Sequence, residues 1–196
     1  MGKRIAVIVG HPDPDDNRYG RVLARTYAEA ARRAGHEARE IDVGRLDFPL
    51  LRTRAEWNAP GALPDSLRAA QQDIGWADHL AIFFPLWMGT VPALLKGFFE
   101  QVLRPGFAIA ATDDDARYHR LLAGKSARVV VTMGMAAPIY RWYFGAGGVR
   151  GLERNILAFC GIAPIRTTMI GMIANRNDSA RKRALDRIRR YGTEGR

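Results

Sequence analysis

The amino-acid sequence predicts one α/β domain, residues 1–196, in which five parallel strands form a doubly wound sheet with helices on both faces. Three observations support this fold class. Short apolar runs rich in β-branched residues alternate with longer segments of helical periodicity. Several of these runs end at glycine or proline, as buried parallel strands often do. The chain has 196 residues, 47% of them hydrophobic, which is enough for one sizeable core.

Predicted strands and helices alternate along the whole chain. The strands are the runs 4–10, Glu37–Asp42, 79–84, 128–133 and Ile165–Ile170. The helices are the segments 19–34, 64–76, 92–102 and 178–191, together with the end of the aromatic-rich stretch 138–160. The stretches 43–64 and 104–125 lack a clear periodicity, so we expect long loops there.

The charge of the chain is strongly positive. The formal net charge is +10, and the basic residues are scattered except near the end of the chain. Residues 176–196 contain eight basic and three acidic side chains, which predicts a basic C-terminal helix and tail. No nucleic-acid-binding motif accompanies this charge, so we expect no nucleic-acid partner. An anionic small ligand or an acidic partner surface is compatible with it.

Cysteine, histidine and hydropathy exclude several classes of protein. Cys160 is the one cysteine, which excludes an intrachain disulfide, and its apolar surroundings predict a core side chain. The four histidines lack the spacing of metal ligands, so we expect no metal site. No apolar stretch reaches the roughly 18 residues of a membrane helix, and the first residues do not resemble a signal peptide. We therefore expect a cytoplasmic protein without an integral membrane segment.

The loop 11–18 connects the first predicted strand to the first predicted helix. A helix N-terminus favours anions through its free N–H groups and its dipole. His11 and Arg18 can add charge-assisted hydrogen bonds to a phosphate. An ordinary turn, in which Asp16 or Asn17 caps the helix, explains the loop equally well. The loop contains neither a G-x-G-x-x-G dinucleotide motif nor a Walker sequence.

Two later loops also have unusual compositions. The third strand ends in PLWMG (85–89), and the fourth ends in TMG (132–134), which the aromatic segment PIYRWYF (138–144) follows. Taken alone, each is compatible with packing in the core or at a subunit contact. The carboxyl ends of neighbouring parallel strands meet at one edge of a sheet, so we expect the three loops to converge at the switch point. There Trp87 would offer a flat apolar face to a planar heteroaromatic ligand.

Four sequence blocks carry a resemblance to a known family. They are GHPDP (10–14), FPLWMGTVPALLKGFFEQVLRPGFA (84–108), TMG (132–134) with Tyr140, and LERNILAFCGI (152–162). From its first strand to about Gly171, the chain resembles the flavodoxin-like NAD(P)H:quinone oxidoreductase family. This family includes quinone reductases, modulators of drug activity and the ancillary flavoproteins of glutathione-gated potassium efflux systems. The second block is long and is the most specific of the four.

The resemblance implies a fold, a cofactor and a set of site residues. The fold would be flavodoxin-like with strand order 2-1-3-4-5, the cofactor FAD or FMN, the electron donor NADPH or NADH, and the assembly a homodimer. The cofactor-binding positions would be His11, Arg18 and Tyr19 near the phosphate, Pro85, Leu86, Trp87 and Met88 beside the isoalloxazine ring, and Thr132 and Gly134 at its pyrimidine end. Tyr140 would be catalytic, because the family has a tyrosine there that stabilises charge on the reduced ring.

Two departures from the family pattern bear on this site. Where the family usually has a small hydroxyl residue in the first loop, this chain has Asp13, Asp15 and Asp16, which should repel a phosphate unless they point outward. Arg18 is a possible compensation for that charge. A histidine that some members carry shortly after the tyrosine has no counterpart in FGAGG (144–148).

The function implied by the resemblance is two-electron reduction of a quinone-like acceptor, by hydride transfer from NAD(P)H through the flavin. One alternative is a regulatory flavoprotein that docks on a membrane transporter through its basic tail. A second is a relative that binds ligands without flavin because of the acidic first loop. A one-electron carrier is disfavoured, since such carriers are typically acidic and have a hydroxyl-rich phosphate loop.

Overall fold

Five parallel strands form the central sheet of the protein. The computed structural model describes residues 2–59, 63–111 and 118–196. The strands of the sheet are β1 (Arg4–Val9), β2 (Glu37–Asp42), β3 (His79–Pro85), β6 (Ser126–Thr132) and β7 (Ile165–Ile170), and a separate antiparallel pair consists of β4 (Ile109–Ala111) and β5 (Tyr118–Arg120). The order across the sheet is β2-β1-β3-β6-β7. Counted among these five strands, it is the predicted order 2-1-3-4-5, which is confirmed.

Helices cover both faces of the sheet. They are α1 (Tyr19–Arg33), α2 (Arg54–Asn58), α3 (Asp65–Trp76), α4 (Ala93–Val102), α5 (Gly147–Gly151) and α6 (Asp178–Thr193). Helix α5 continues directly into wider, π-helical turns over Leu152–Leu157, and a similar wide turn spans Ile139–Tyr143. The predicted helical end of the aromatic-rich stretch is therefore present, in an unusually wide form.

Two hydrophobic cores lie on opposite faces of the sheet, because successive side chains of each strand point to opposite sides. On one face, Ala6 and Ile8 of β1 belong to the core that α3, α4 and α5 cover. On the other face, Ile5 and Val7 pack in the core beneath α1 and α6. Cys160 is buried in the first core, as its apolar surroundings predicted, and burial raises the pKa of its thiol to about 11.

Helix α6 forms most of the basic C-terminal segment. Asn177 begins it by accepting a hydrogen bond from the Ala180 N–H at 2.9 Å, which is an N-cap. Its buried face, including Ala184 and Ile188, packs on α1 and the sheet, while most of its basic side chains lie on the opposite face. Within the part of the chain that the structure describes, no helix is both long enough and apolar enough to span a bilayer.

The two expected long loops contain short regular elements. The stretch 43–64 includes a single helical turn, Val43–Arg45, as well as α2. Helix α2 begins where the Thr53 hydroxyl accepts a hydrogen bond from the Glu56 N–H at 3.1 Å. The stretch 104–125 includes the β4–β5 pair. Elements this short have too few residues to show a period, which is why the sequence pattern missed them.

The register of the sheet places three strand ends side by side. Val9 lies beside Phe83, and Pro85 lies beside Thr132. The carboxyl ends of β1, β3 and β6 therefore share one edge. The loops that follow these strands are the three whose composition stood out in the sequence.

Candidate active site

Two contacts join the three loops. The rings of His11 and Trp87 meet edge to face with their centroids 6.1 Å apart, which brings the loop after β1 against the loop after β3. The N–H of Leu86 donates to the Thr132 carbonyl at 2.7 Å, which ties the loop after β3 to the end of β6. The fold thus assembles residues from distant parts of the chain at the edge where ligands bind in open α/β sheets.

The acidic side chains of the first loop are paired within the protein. The guanidinium of Arg18 contacts Oδ2 of Asp13 through Nε at 2.7 Å and through a terminal nitrogen at 2.6 Å. Oδ1 of Asp13 accepts from the Asp15 N–H, and Oδ1 of Asp15 accepts from the Asn17 N–H, each at 2.9 Å. These bonds fold the carboxylates back onto the loop.

The third carboxylate and the base of the loop are paired as well. Asp16 contacts Arg45 at 2.9 Å and Arg21 at 3.6 Å. Arg21 is buried and forms a close two-point ion pair with Asp42 at the end of β2. Four arginines (Arg18, Arg21, Arg25, Arg45) and four carboxylates (Asp13, Asp15, Asp16, Asp42) surround this loop. The positive and negative charges around this loop are therefore equal in number, and its carboxylates are paired with arginines or backbone N–H groups.

Helix α1 begins at Tyr19 without a capping side chain, because Arg18 occupies the N-cap position and makes no side-chain cap. The proposed caps, Asp16 and Asn17, are wrong for this reason. The N–H groups of Tyr19 and Gly20 have no acceptor among the described residues. A β-carbon at the buried Gly20 would lie 3.8 Å from both His11 and Thr132, so these two side chains stand beside this helix end. Free donors and the helix dipole make it suited to an anion.

His11 is oriented by the same loop. Its Nδ1 accepts a hydrogen bond from the Asp13 N–H at 3.1 Å, which places the proton of the neutral ring on Nε2. Partial burial lowers the pKa of His11, although the neighbouring Asp13 carboxylate opposes this effect. The side chain is therefore a neutral N–H donor near the start of α1.

The loop after β3 forms a tight turn that exposes Trp87 and Met88. Trp87 and Thr90 exchange backbone hydrogen bonds at 3.1 and 3.0 Å. Between them Met88 has φ 49° and Gly89 has φ 76°, both in the left-handed region. The side chain of Met88 is fully exposed and that of Trp87 is 48% exposed. The N–H groups of Leu86 and Trp87 donate to carbonyl groups of the protein. Among the described residues, the N–H groups of Met88 and Gly89 have no such acceptor, so they are the donors that this turn can offer to a ligand.

Tyr140 lies beneath that turn rather than on the surface. Its hydroxyl donates to the Gly89 carbonyl at 2.8 Å and accepts from the Val149 N–H at 3.3 Å. The residue is 1% exposed, and burial raises the pKa of its phenol. The hydroxyl therefore links the β3 loop to α5. That Tyr140 acts directly on a reduced ring stays a prediction.

The remaining predicted positions differ in accessibility. Pro85 and Thr132 are buried at the strand ends, and Leu86 is half-buried. Gly134 is exposed, with open space where a β-carbon would point, and its N–H has no acceptor in the part of the chain that the structure describes. Tyr19 is half-buried, with its hydroxyl inside the protein and the Arg181 guanidinium 5.7 Å from its ring.

Gly148 is a site residue that the sequence reasoning missed. A β-carbon there would lie 2.2 Å from the Gly89 carbonyl oxygen, so only glycine allows α5 to approach the turn this closely. The signal is present in the glycines of FGAGG (144–148), the segment in which the family's histidine has no counterpart. Between α4 and α5, beside Trp87 and Met88, lies an apolar cleft of about 690 Å³ with Lys96 and Asn155 in its lining.

The sequence and structure match known proteins along nearly the whole chain. The family model described as "Flavodoxin-like fold" matches residues 3–191. The chain is 28% identical over 178 residues to the ribosyldihydronicotinamide dehydrogenase-like protein traD of Penicillium crustosum, covering 79% of this chain and 64% of that protein. It is 28% identical over 188 residues to the FMN-dependent NADH:quinone oxidoreductase of Nitratidesulfovibrio vulgaris, covering 88% of each.

A solved structure agrees in fold. The NAD(P)H:quinone oxidoreductase from Methanothermobacter marburgensis superimposes with a TM-score of 0.78 at 22% identity, covering 100% of both chains. The strand order, the convergence of three loops at the switch point and the family match over residues 3–191 agree with one another. The chain belongs to the family of proteins with the flavodoxin-like fold.

Proposed function

We propose that this protein is a flavin-dependent NAD(P)H oxidoreductase that transfers two electrons, as a hydride, to a quinone or a similar small acceptor. One observation carries this proposal. His11 lies beside the uncapped N-terminus of α1, and its ring contacts the half-exposed ring of Trp87. One feature suits a phosphate and the other a planar ring. The name of the Nitratidesulfovibrio relative points to FMN as the flavin and NADH as a donor.

The residues present fit a phosphate-bearing flavin. The free N–H groups of Tyr19 and Gly20, the Nε2–H of His11 and the guanidinium of Arg18 form the donor set for the phosphate. The main argument for a relative that binds no flavin was repulsion of the phosphate by the acidic first loop. Because the charges around that loop are balanced, this argument no longer applies. Trp87 would lie against the ring, with Pro85, Leu86 and Met88 forming the rest of that wall. Thr132 and Gly134 would face the pyrimidine end.

A bound flavin supplies the two-electron chemistry, taking hydride from NAD(P)H and delivering it to the acceptor. The protein's part is to bind, orient and stabilise charge. The N–H groups of Met88, Gly89 and Gly134 are the fixed donors that can stabilise negative charge on a ring oxygen. Tyr140 holds the turn that carries two of them. The net charge of +10 favours the approach of anionic NAD(P)H.

The test is spectroscopic. The purified protein is incubated with FMN, freed of excess and titrated with NADH and then NADPH without oxygen. Loss of the visible flavin band, followed by its return when a soluble quinone is added, is the expected result. A protein that retains FMN but shows slow turnover with every donor and quinone would instead favour the regulatory flavoprotein. A protein that binds neither FMN nor FAD would contradict the proposal.

We infer that two copies of the chain associate through the aromatic segment. Trp142, Tyr143 and Phe144 are all exposed, in the segment that follows the buried Tyr140. Met88 is also exposed, in the turn to which the Tyr140 hydroxyl is bonded. An apolar cluster of this kind on a folded protein commonly marks an interaction surface. Light scattering during gel filtration should give a mass of twice 21.8 kDa. Trp142→Arg should shift it to the monomer mass, and a monomeric wild-type protein would overturn the inference.

The electron acceptor is expected to be small and apolar, because the cleft beside Trp87 is lined mainly by apolar side chains. We also propose that the protein is cytoplasmic. Docking on a transporter through the basic face of α6 stays a prediction.

A further inference from the structure

We propose that Asp13 competes with the flavin phosphate for Arg18, so that this carboxylate sets how strongly the site prefers a phosphorylated flavin over an unphosphorylated one. The proposal rests on the proposed function, since it concerns the phosphate end of the same site. It makes Asp13 a specificity-determining residue, although in this structure it binds only other groups of the protein.

The first support is the way Arg18 is held. Two nitrogens of its guanidinium contact Oδ2 of Asp13, at 2.7 and 2.6 Å, and Asp15 lies 3.8 Å away. Arg18 immediately precedes Tyr19 and Gly20, whose N–H groups are free. The cation that stands next to the anion-binding donors is therefore directed to a carboxylate of the loop.

The second support is that the other arginines near this loop are occupied elsewhere. Arg21 is buried against Asp42, and Arg45 contacts Asp16. Arg25 donates to the backbone carbonyl of Asp16 at 2.9 Å. Arg18 is the one arginine of this group whose side-chain partners are only the exposed acids of the loop itself. Arg18 can therefore turn to a phosphate without breaking the ion pairs of Arg21 and Arg45.

The third support is the strength of the pair. The side chains of Arg18 and Asp13 are 51% and 34% exposed. Exposed ion pairs contribute little to stability, because water and salt screen them. An exchange of Arg18 from Asp13 to a phosphate is therefore accessible. Because a carboxylate that retains Arg18 offsets part of the attraction for the phosphate, we expect an effect of about two- to fivefold on affinity.

The substitution Asp13→Asn separates the two roles of this residue. The amide oxygen of asparagine can still accept the Asp15 N–H, so the turn of the loop is retained. The amide nitrogen, in contrast, gives Arg18 no charge to bind. Asp65→Asn is the matched control: Asp65 is an exposed acid of α3 paired with Arg68, so its substitution changes the net charge equally without removing an acid of the loop.

The experiment measures the Kd of flavin-free protein for FMN and for riboflavin, which lacks the phosphate, by the quenching of flavin fluorescence. Asp13→Asn should bind FMN about two- to fivefold more tightly than the wild-type protein, with riboflavin unchanged. Arg18→Gln should weaken FMN binding alone. The double variant should bind FMN as weakly as Arg18→Gln, and Asp65→Asn should match the wild-type protein for both ligands.

Four results would overturn the proposal in different ways. If Asp13→Asn leaves the Kd for FMN unchanged or raises it, Asp13 does not compete. If the double variant keeps the gain of Asp13→Asn, the carboxylate acts by direct repulsion and not through Arg18. If the wild-type protein binds neither FMN nor riboflavin, the proposed function falls together with this inference. Binding of both flavins with no difference among variants would leave the flavin site standing and reject only the role of Asp13.

Discussion

The hydroxyl of Tyr140 donates a hydrogen bond to the carbonyl of Gly89 at 2.8 Å, across 51 positions of the chain. Gly89 follows Met88, a non-glycine residue with φ 49°. A left-handed conformation at such a residue costs roughly 1–2 kcal/mol, so surrounding contacts must hold it. The Tyr140 hydroxyl is one of those contacts. The exposed Trp87–Met88 turn is therefore supported from inside the protein.

Replacing Tyr140 by Phe should destabilise the protein. The change leaves the Gly89 carbonyl and the Val149 N–H without a partner in a buried region, which costs about 1–3 kcal/mol. Urea unfolding of the variant measures this loss. Tyr143→Phe is the control, because Tyr143 is exposed and should leave stability unchanged. If Tyr140→Phe instead keeps full stability but loses turnover with NAD(P)H, the tyrosine acts on the reaction directly.

Gly148→Ala should displace the turn after β3. The new methyl group would lie 2.2 Å from the Gly89 oxygen and 2.5 Å from Cα of Thr90, and both are backbone atoms that cannot simply rotate away. Overpacking of this kind costs about 1–3 kcal/mol or more. We expect a lower Tm and weaker FMN binding. Gly151→Ala, where open space surrounds the position, should have neither effect.

Trp87→Ala should weaken binding of the flavin ring more than it affects the fold. Because the side chain is 48% exposed, little of its packing contributes to folding. Aromatic stacking contributes about 0.5–1.5 kcal/mol, which corresponds to a rise of about two- to tenfold in Kd. FMN and riboflavin should be affected equally in fluorescence titrations. A loss confined to FMN would place Trp87 at the phosphate instead of at the ring.

The stability of the protein should fall as the pH is lowered below about 6.5, partly because of His79. Burial at the start of β3 lowers the pKa of His79 from 6.5 to about 3. Between these values the unfolded chain binds a proton that the folded protein does not, so the free energy of unfolding decreases by up to about 1.4 kcal/mol per pH unit. Above the higher value both states are neutral and the contribution vanishes.

Urea unfolding between pH 7 and pH 5 measures this slope. Asp78, whose pKa is lowered to about 2 by its hydrogen bond with Arg4, does not interfere in that range, because it stays ionised in both states. His79→Gln should flatten the slope, while His119→Gln, at an exposed position, should keep it. His11 contributes a smaller effect of the same sign, since its pKa is also lowered by burial. An unchanged slope in His79→Gln would contradict the prediction.

The architecture of the protein could be predicted from its amino-acid sequence alone. Apolar runs alternating with helical segments can bury their surfaces on both sides only in a layered sheet, and this dictates the five parallel strands and the edge where loops converge. The unusual composition of PLWMG (85–89) also predicted a ligand loop at the position where Trp87 and Met88 are exposed. The family resemblance added the cofactor and the reaction, which no local pattern contains.

The contacts that the site residues make could not be predicted in this way and depend on the folded chain. The sequence shows Asp13 and Arg18 as neighbours, but not that they bind each other and leave the N–H groups of Tyr19 and Gly20 free. It shows Tyr140, but not that its hydroxyl is engaged by Gly89. The physical reason is that hydrogen bonds and ion pairs depend on distances of a few ångströms between loops far apart in the chain. Local propensity and periodicity do not encode those distances.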